Sequence, residues 1–261
     1  MPLLNLSEVQ IYYEVHGKGD PLLLIHGLGS SSRDWEMQIG DFSRYYQVIS
    51  IDLRGHGQSS KTPGPYSIPL FAQDTAQLIR ELDLPSSHVL GISLGGMVAF
   101  QLVLDYPDLV RDLVIVNSVP ELIAHNFQDR ISYWQRLLIV RLFGLEKMGQ
   151  VLAERFFTEP EQAGIRQIFT QRWAENHKPS YLASLKAAFG WSVSGRLGEI
   201  QARTLVIGSE GDYFSNTEKE EYARLMPNAK LVIVKGARHA LPAEKPEEFN
   251  TIVEKFLLPK N

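Results

Sequence analysis

The sequence predicts an α/β fold: a mostly parallel sheet flanked by helices and interrupted by one all-helical insertion. Three observations carry this. Apolar runs of strand length alternate with helix-spaced segments of about 10–15 residues along most of the chain. Several of those runs, such as Leu113-Val114-Ile115-Val116, are apolar at every position, as strands covered on both faces must be. Between about Glu121 and Gly195 the strand signal vanishes and only helical spacing remains.

The elements follow in order. Val9 to Val15 alternates in part and Pro21 to Ile25 is solidly apolar. With Gly17-Lys18-Gly19-Asp20 as the turn, these two read as an antiparallel edge hairpin that feeds a buried strand. Asp34 to Tyr46 has helical spacing, and Gln47 to Leu53 is a strand ending at Arg54-Gly55-His56-Gly57. Ile68 to Leu82 is a helix, His88 to Ile92 a strand, and Leu94 to Tyr106 a helix stopped by Pro107. Val110 to Val116 closes the first half as a strand. In the insertion, Ile131, Trp134, Leu138 and Leu142 share a helical face expected to pack on the core. Leu145 to Phe157, Ile165 to Trp173 and Tyr181 to Trp191 also read as helices. Alternation resumes with Thr204 to Ile207, Glu218 to Met226, Lys230 to Val234 and Pro246 to Leu257. The expected organisation is a core domain from residues 1–120 and 196–261, with a helical cap over 121–195.

Composition narrows the function classes. The 261 residues are 44% hydrophobic, enough for one sizeable core. The net charge is −4 and the 26 basic residues are scattered, so no nucleic-acid partner is expected. The chain has no cysteine, which excludes disulfides, thiolate metal sites and a Cys nucleophile, and fits a cytoplasmic protein. Met1 to Leu6 lacks the basic and apolar regions of a secretory leader, and no apolar run reaches the roughly 18 residues of a membrane span. A monomer or homodimer is expected.

The chemistry centres on Gly91-Ile92-Ser93-Leu94-Gly95, between a predicted strand and a predicted helix. A Ser nucleophile must be lifted clear of the sheet on a tight turn, and small residues must flank it where strand and helix backbones approach. The pentapeptide alone arises by chance in roughly one in ten chains of this length; the strand–turn–helix context gives it weight. At the start of a helix, Ser93 also meets unpaired N–H groups, with the Leu94 N–H as the expected oxyanion donor.

A Ser nucleophile needs a base, and the base needs an orienting carboxylate. Of the seven histidines, His239 lies in Gly236-Ala237-Arg238-His239, just past the strand ending at Val234. Asp212 follows another strand, with Glu210 as the rival carboxylate two residues earlier. Loops at the carboxyl ends of parallel strands are where such sheets assemble sites. The order Ser93, Asp212, His239 matches the one found with this kind of turn. His26-Gly27-Leu28-Gly29 ends the first buried strand, and its glycines let the Leu28 N–H serve as a second oxyanion donor, with His26 holding the loop. Arg54 to Ser59 lacks the spacing of a phosphate loop, and Asp52 and His56 read as structural. No spacing suggests a metal site, and no cofactor is expected.

Together, these motifs resemble the α/β-hydrolase superfamily over essentially the whole chain. The residues that carry the resemblance are His26-Gly27-Leu28-Gly29, Asp52-Leu53-Arg54-Gly55-His56-Gly57-Gln58-Ser59, Gly91 to Gly95, Gly211-Asp212 and Gly236 to His239. The resemblance implies an eight-stranded sheet with the helical cap inserted after the sixth strand. It is nearest to small cofactor-free carboxylesterases, enol-lactonases and C–C hydrolases of aromatic catabolism. Ser93 stands where dehalogenases and epoxide hydrolases place Asp. The expected reaction is hydrolysis of a small-molecule carboxylic ester through an acyl-enzyme. The aromatic residues Trp134, Phe156, Phe157, Trp173 and Trp191 are candidates to line an apolar acyl or aryl pocket. Enol-lactone or C–C bond hydrolysis is the alternative, favoured if Arg130, Arg136 or Arg141 faces Ser93. A ligand-binding receptor on the same fold is a further one.

Overall fold

The computed structural model describes residues 2–124 and 126–258. Eight strands form one sheet: β1 (Leu3–Asn5), β2 (Gln10–His16), β3 (Asp20–Ile25), β4 (Tyr46–Ile51), β5 (Ser87–Ile92), β6 (Val110–Val116), β7 (Arg203–Ser209) and β8 (Ala229–Val234). Their spatial order is β1-β2-β4-β3-β5-β6-β7-β8. From β4 to β8 every pairing is parallel; only β1 and β2 run antiparallel to their neighbours. The helices are α1 (Glu36–Phe42), α2 (Ile68–Glu81), α3 (Leu94–Asp105), α4 (Phe127–Phe156), α5 (Ala163–Ala174), α6 (Lys178–Ala188), α7 (Asn216–Arg224), α8 (Leu241–Glu244) and α9 (Pro246–Leu257).

The apolar strands are buried on both faces, as their sequences require. Leu23 and Ile25 of β3 point into a core with α2 and α3, whereas Leu22 and Leu24 point into a second core with α1 and α9. All four side chains are fully buried. Removing one at Ala size in such a position typically costs about 2–5 kcal/mol.

The expected hairpin does not form. β2 pairs with β4, in the register Tyr13↔Ile51, and β3 lies between β4 and β5. A solidly apolar strand needs a neighbour on each edge and a layer on each face, so β3 takes a central position and the half-exposed β2 an outer one. The Gly17–Asp20 segment crosses the start of β4. Gly17 sits at φ +77°, where a Cβ would lie 2.4 Å from the Ser43 carbonyl oxygen and 2.5 Å from that of Tyr46. The predicted helix from Asp34 also shortens, to a 3₁₀ turn at Ser32–Trp35 followed by α1.

The helical insertion follows β6, the sixth strand. Its helix α4 is interrupted at Gly144 (φ 84°, ψ −178°), which divides it much as the sequence suggests. The face buried by the first half is not the expected one. Leu137 and Val140 point inward to a third apolar cluster with Trp173, Tyr181 and Leu185. Trp134, Leu138 and Leu142 are 62%, 55% and 65% exposed. Two apolar stripes interleave on this helix, and the inward one also carries Arg136, whose partners lie inside. Among the described residues no helix is long and apolar enough to cross a membrane.

Candidate active site

Ser93 sits at the junction of β5 and α3 with φ 54° and ψ −117°, a conformation that non-glycine residues rarely adopt. The turn is held on several sides. The Ser93 N–H donates to Val116 O (3.0 Å), and Ser118 Oγ donates to Ser93 O (2.7 Å). The glycines around it leave no room for a side chain. A Cβ on Gly91 would fall 2.2 Å from Gly95 O, and one on Gly95 would fall 2.1 Å from Ile25 O. The glycines therefore allow strand, turn and helix to pack closely around Ser93.

Asp212, in the loop after β7, and His239, in the loop after β8, are brought together. His239 Nδ1 lies 2.6 Å from Asp212 Oδ1. The carboxylate fixes the tautomer: Nδ1 carries the proton and Nε2 is the free base. Glu210 is elsewhere, accepting the Gly236 N–H at 2.8 Å. Asn117 steadies the same corner, donating to Ser209 Oγ and to the carbonyls of Arg238 and His239.

Two neighbours have no motif in the sequence. Lys219 of α7 is fully buried, and its Nζ lies 2.7 Å from Asp212 Oδ2. It also donates to Phe214 O at 2.7 Å. Burial pushes the Asp212 carboxyl up, but His239 and Lys219 outweigh it and hold the group below the usual carboxylate range. Tyr213 stacks on the His239 ring, with centroids 4.1 Å apart, and its hydroxyl donates to Nε2 at 2.9 Å. Burial raises the phenol's pKa to about 12, so it is a neutral donor near pH 7.

The loop after β3 lies against Ser93: a Cβ on Gly27 would be 3.5 Å from Ser93 Cβ. His26 ties that loop to the end of β4. Its Nδ1–H donates to Gly27 O (2.7 Å) and its Nε2 accepts the Leu53 N–H (3.0 Å). Burial lowers its pKa and keeps it neutral. Among the described residues, neither the Leu28 nor the Leu94 N–H donates to a protein acceptor. Asp52 braces the neighbouring loops by accepting the N–H groups of Ser32 and Gln58, each at 2.6 Å. The buried His56 is driven down to about pKa 3.

The aromatic candidates divide. Phe156 lies 5.0 Å from His239 between ring centroids, and Trp173 presses its indole against Gly29. Phe157 and Trp173 help to line a cavity of about 610 Å³ with Ile165 and Pro242. This cavity reaches Gly29, Ile92 and Ala240, the chain neighbours of Leu28, Ser93 and His239, without including Ser93 or His239 themselves. The other two candidates lie away from Ser93. Trp134 faces solvent, and Trp191 packs against the α3 core with its Nε1–H on Gln101 Oε1 (2.8 Å). Of the three arginines, Arg130 and Arg141 are exposed, whereas Arg136 turns inward and donates from Nε to Tyr181 Oη at 2.6 Å. Among the described residues no group of three or more His, Asp or Glu is arranged to hold a metal ion.

Similar proteins match the chain over nearly its full length. The chain is 30% identical to the protein named "Putative carbamate hydrolase RutD" of Azorhizobium caulinodans, over 98% of each chain. It is 27% identical to 3-oxoadipate enol-lactonase 2 of Acinetobacter baylyi, covering 96% of this chain and 94% of that one. A solved hydrolase from Pseudomonas aeruginosa PA01 superposes with a TM-score of 0.90 at 25% identity, over 99% of this chain and 98% of the other. Residues 20–246 match the family described as the alpha/beta hydrolase fold, and the chain belongs to that family.

Proposed function

We propose that this hydrolase cleaves carboxylic esters of small to medium apolar acyl or aryl compounds through an acyl-enzyme on Ser93, without a cofactor. The observation that supports it best is the strained Ser93 turn, set beside a His239 whose tautomer Asp212 fixes at 2.6 Å. His239 Nε2 takes the Ser93 proton as the hydroxyl oxygen attacks the carbonyl carbon. The N–H groups of Leu28 and Leu94 stabilise the resulting oxyanion. Collapse of the tetrahedral intermediate breaks the acyl–oxygen bond, and His239 hands its proton to the departing alcohol. Water then attacks the acyl-enzyme with His239 again as base, which releases the acid and restores Ser93. Asp212 stays ionised throughout, supported by Lys219.

Tyr213 adds a condition. Its hydroxyl holds the Nε2 position that Ser93 must use, so this hydrogen bond passes from Tyr213 to Ser93 before attack. Apolar walls from Phe156, Phe157 and Trp173 suit an acyl or aryl group.

A second reading, hydrolysis of an enol-lactone or an activated C–C bond, has one observation in its favour: Arg136 turns inward within the cap, onto Tyr181. The enol-lactonase relative supports the same direction. The direct test is Ser93→Ala against p-nitrophenyl acetate and butyrate. The expected kcat falls by a factor of about 10⁴–10⁶ while thermal unfolding is retained. Wild-type-like turnover in that variant contradicts the assignment.

A further inference from the structure

The cavity of about 610 Å³ holds a carboxyl group that the mechanism does not use. It lies between the 3₁₀ turn Ser32–Trp35 of the core and α5 of the cap. Phe157, Ile165, Phe169 and Trp173 give it apolar walls. Its charged wall residues are satisfied within the protein, with one exception. Arg172 Nη2 donates to both carboxylate oxygens of Glu36 at 2.9 Å, and Arg33 pairs with Glu175. Lys61 Nζ donates to the carbonyls of His56, Gly57 and Ser59. Asp52 accepts the Ser32 and Gln58 N–H groups. Asp34 is the exception. Its Oδ2 accepts the Ser30 hydroxyl; among the described residues no second donor reaches the carboxyl and no cation pairs with it.

Asp34 is half-buried and lines the cavity, and burial pushes its carboxyl up. A carboxyl accepts several hydrogen bonds, and a desolvated one with a single hydroxyl partner leaves costly acceptor capacity unused. Because Ser30 holds Oδ2, Oδ1 is the atom left to meet a ligand. Asp34 and the cap wall are tied to the same stretch of chain. The Arg33–Glu175 and Arg172–Glu36 pairs join α5 to it, and Asn176 Nδ2 donates to Gly29 O at 2.8 Å.

We propose that this cavity holds one arm of the substrate and that Asp34 Oδ1 accepts a hydrogen bond from an ammonium or hydroxyl group at the end of that arm. This rests on Ser93 being the nucleophile, and it adds a polar terminus to the otherwise apolar acyl or alcohol group. The cavity reaches Gly29, Ile92 and Ala240, so an arm lying in it starts beside the reacting atoms. The faces of Phe169 and Trp173 suit a methylene chain and also a cation at its end.

The test uses two series matched in length. For the acyl arm these are the p-nitrophenyl esters of ε-aminocaproate, ε-hydroxycaproate and heptanoate. For the alcohol arm they are the acetates of ω-aminohexanol, hexanediol and heptanol. The quantity read is the ratio of kcat/KM for a polar-ended ester to that for its methyl-ended partner. Asp34→Leu is expected to lower this ratio by about tenfold in one series. Asp34→Asn keeps an acceptor for Ser30 and turns an N–H group toward the substrate, so it should lower the ammonium ratio in that series. A larger wild-type ratio for the ammonium ester assigns an ionised Asp34, and a larger one for the hydroxyl ester a neutral one; both retain the site. Ratios unchanged by Asp34→Leu and Asp34→Asn in both series overturn the proposal, because a Ser30–Asp34 bond that only braces the turn would lower all rates alike.

A second measurement needs no turnover. Hexylamine or hexanol should raise the melting temperature of Ser93→Ala more than that of Ser93→Ala/Asp34→Leu. Neither compound acting on Ser93→Ala overturns the proposal, and so does hexanoate acting more strongly than both. Asp34-dependent binding in a protein inert toward every ester would instead retain the site and remove the esterase reading.

Discussion

The turn around Ser93 and the first half of α4 are shaped by different kinds of constraint. At the turn the backbone itself decides. Gly91 and Gly95 face carbonyl oxygens little more than 2 Å from where a Cβ would be, so this close approach of strand, turn and helix admits only glycine there. On α4 two apolar stripes compete, and tertiary packing selects Leu137 and Val140 over Trp134, Leu138 and Leu142. A backbone-enforced site can be read from a few residues. A side-chain-selected face requires knowledge of what lies opposite.

That difference can be broken in several places. The largest effect on stability is expected at Lys219. Lys219→Met leaves the fully buried Asp212 with half its charge partners and should cost about 3–5 kcal/mol in urea unfolding. A loss below about 1 kcal/mol would mean that the pair does not hold the Asp212 loop. On α4, Leu137→Ala should cost about 2–4 kcal/mol.

His56 gives a pH signature. Its folded pKa of about 3 lies below the ordinary histidine value, so the unfolded chain binds its proton first as pH falls. His56 therefore stabilises the fold fully above about pH 6.5, and that contribution declines toward pH 3. His56→Gln should make the stability curve shallower across this window by about 1.4 kcal/mol per pH unit. An unchanged slope would show that His56 charges in the folded state.

The smallest effect is expected on the outer stripe. Leu138→Ser should change stability by at most about 0.5 kcal/mol. A cost equal to that of Leu137→Ala would show that the outer face is covered in solution.

Much of the core was legible because its signals are local. Ser93, Asp212 and His239 each follow a recognisable strand, and His26 and Asp52 are fixed by the loops they close. The expected β2–β3 hairpin does not form because neighbours in sequence are not neighbours in this sheet, where β4 lies between them. Solid apolarity at Leu22 to Ile25 already favoured a central strand. Lys219 was invisible inside the Glu218-Lys219-Glu220-Glu221 run, which reads as a solvated helix surface. Tyr213 could have been suspected from its position next to Asp212. Arg136 and Tyr181 are 45 residues apart on different helices, and only packing reveals that they meet.

Acylation of Ser93 is the step on which the proposed reaction depends. The most direct measurement mixes the protein with excess p-nitrophenyl butyrate, follows p-nitrophenol in the first turnover and maps the adduct by peptide mass spectrometry after acid quench. A burst approaching one equivalent, with the butyryl group on Ser93, is the predicted result. Steady turnover with no adduct on Ser93, or an acyl group on another residue, would contradict it.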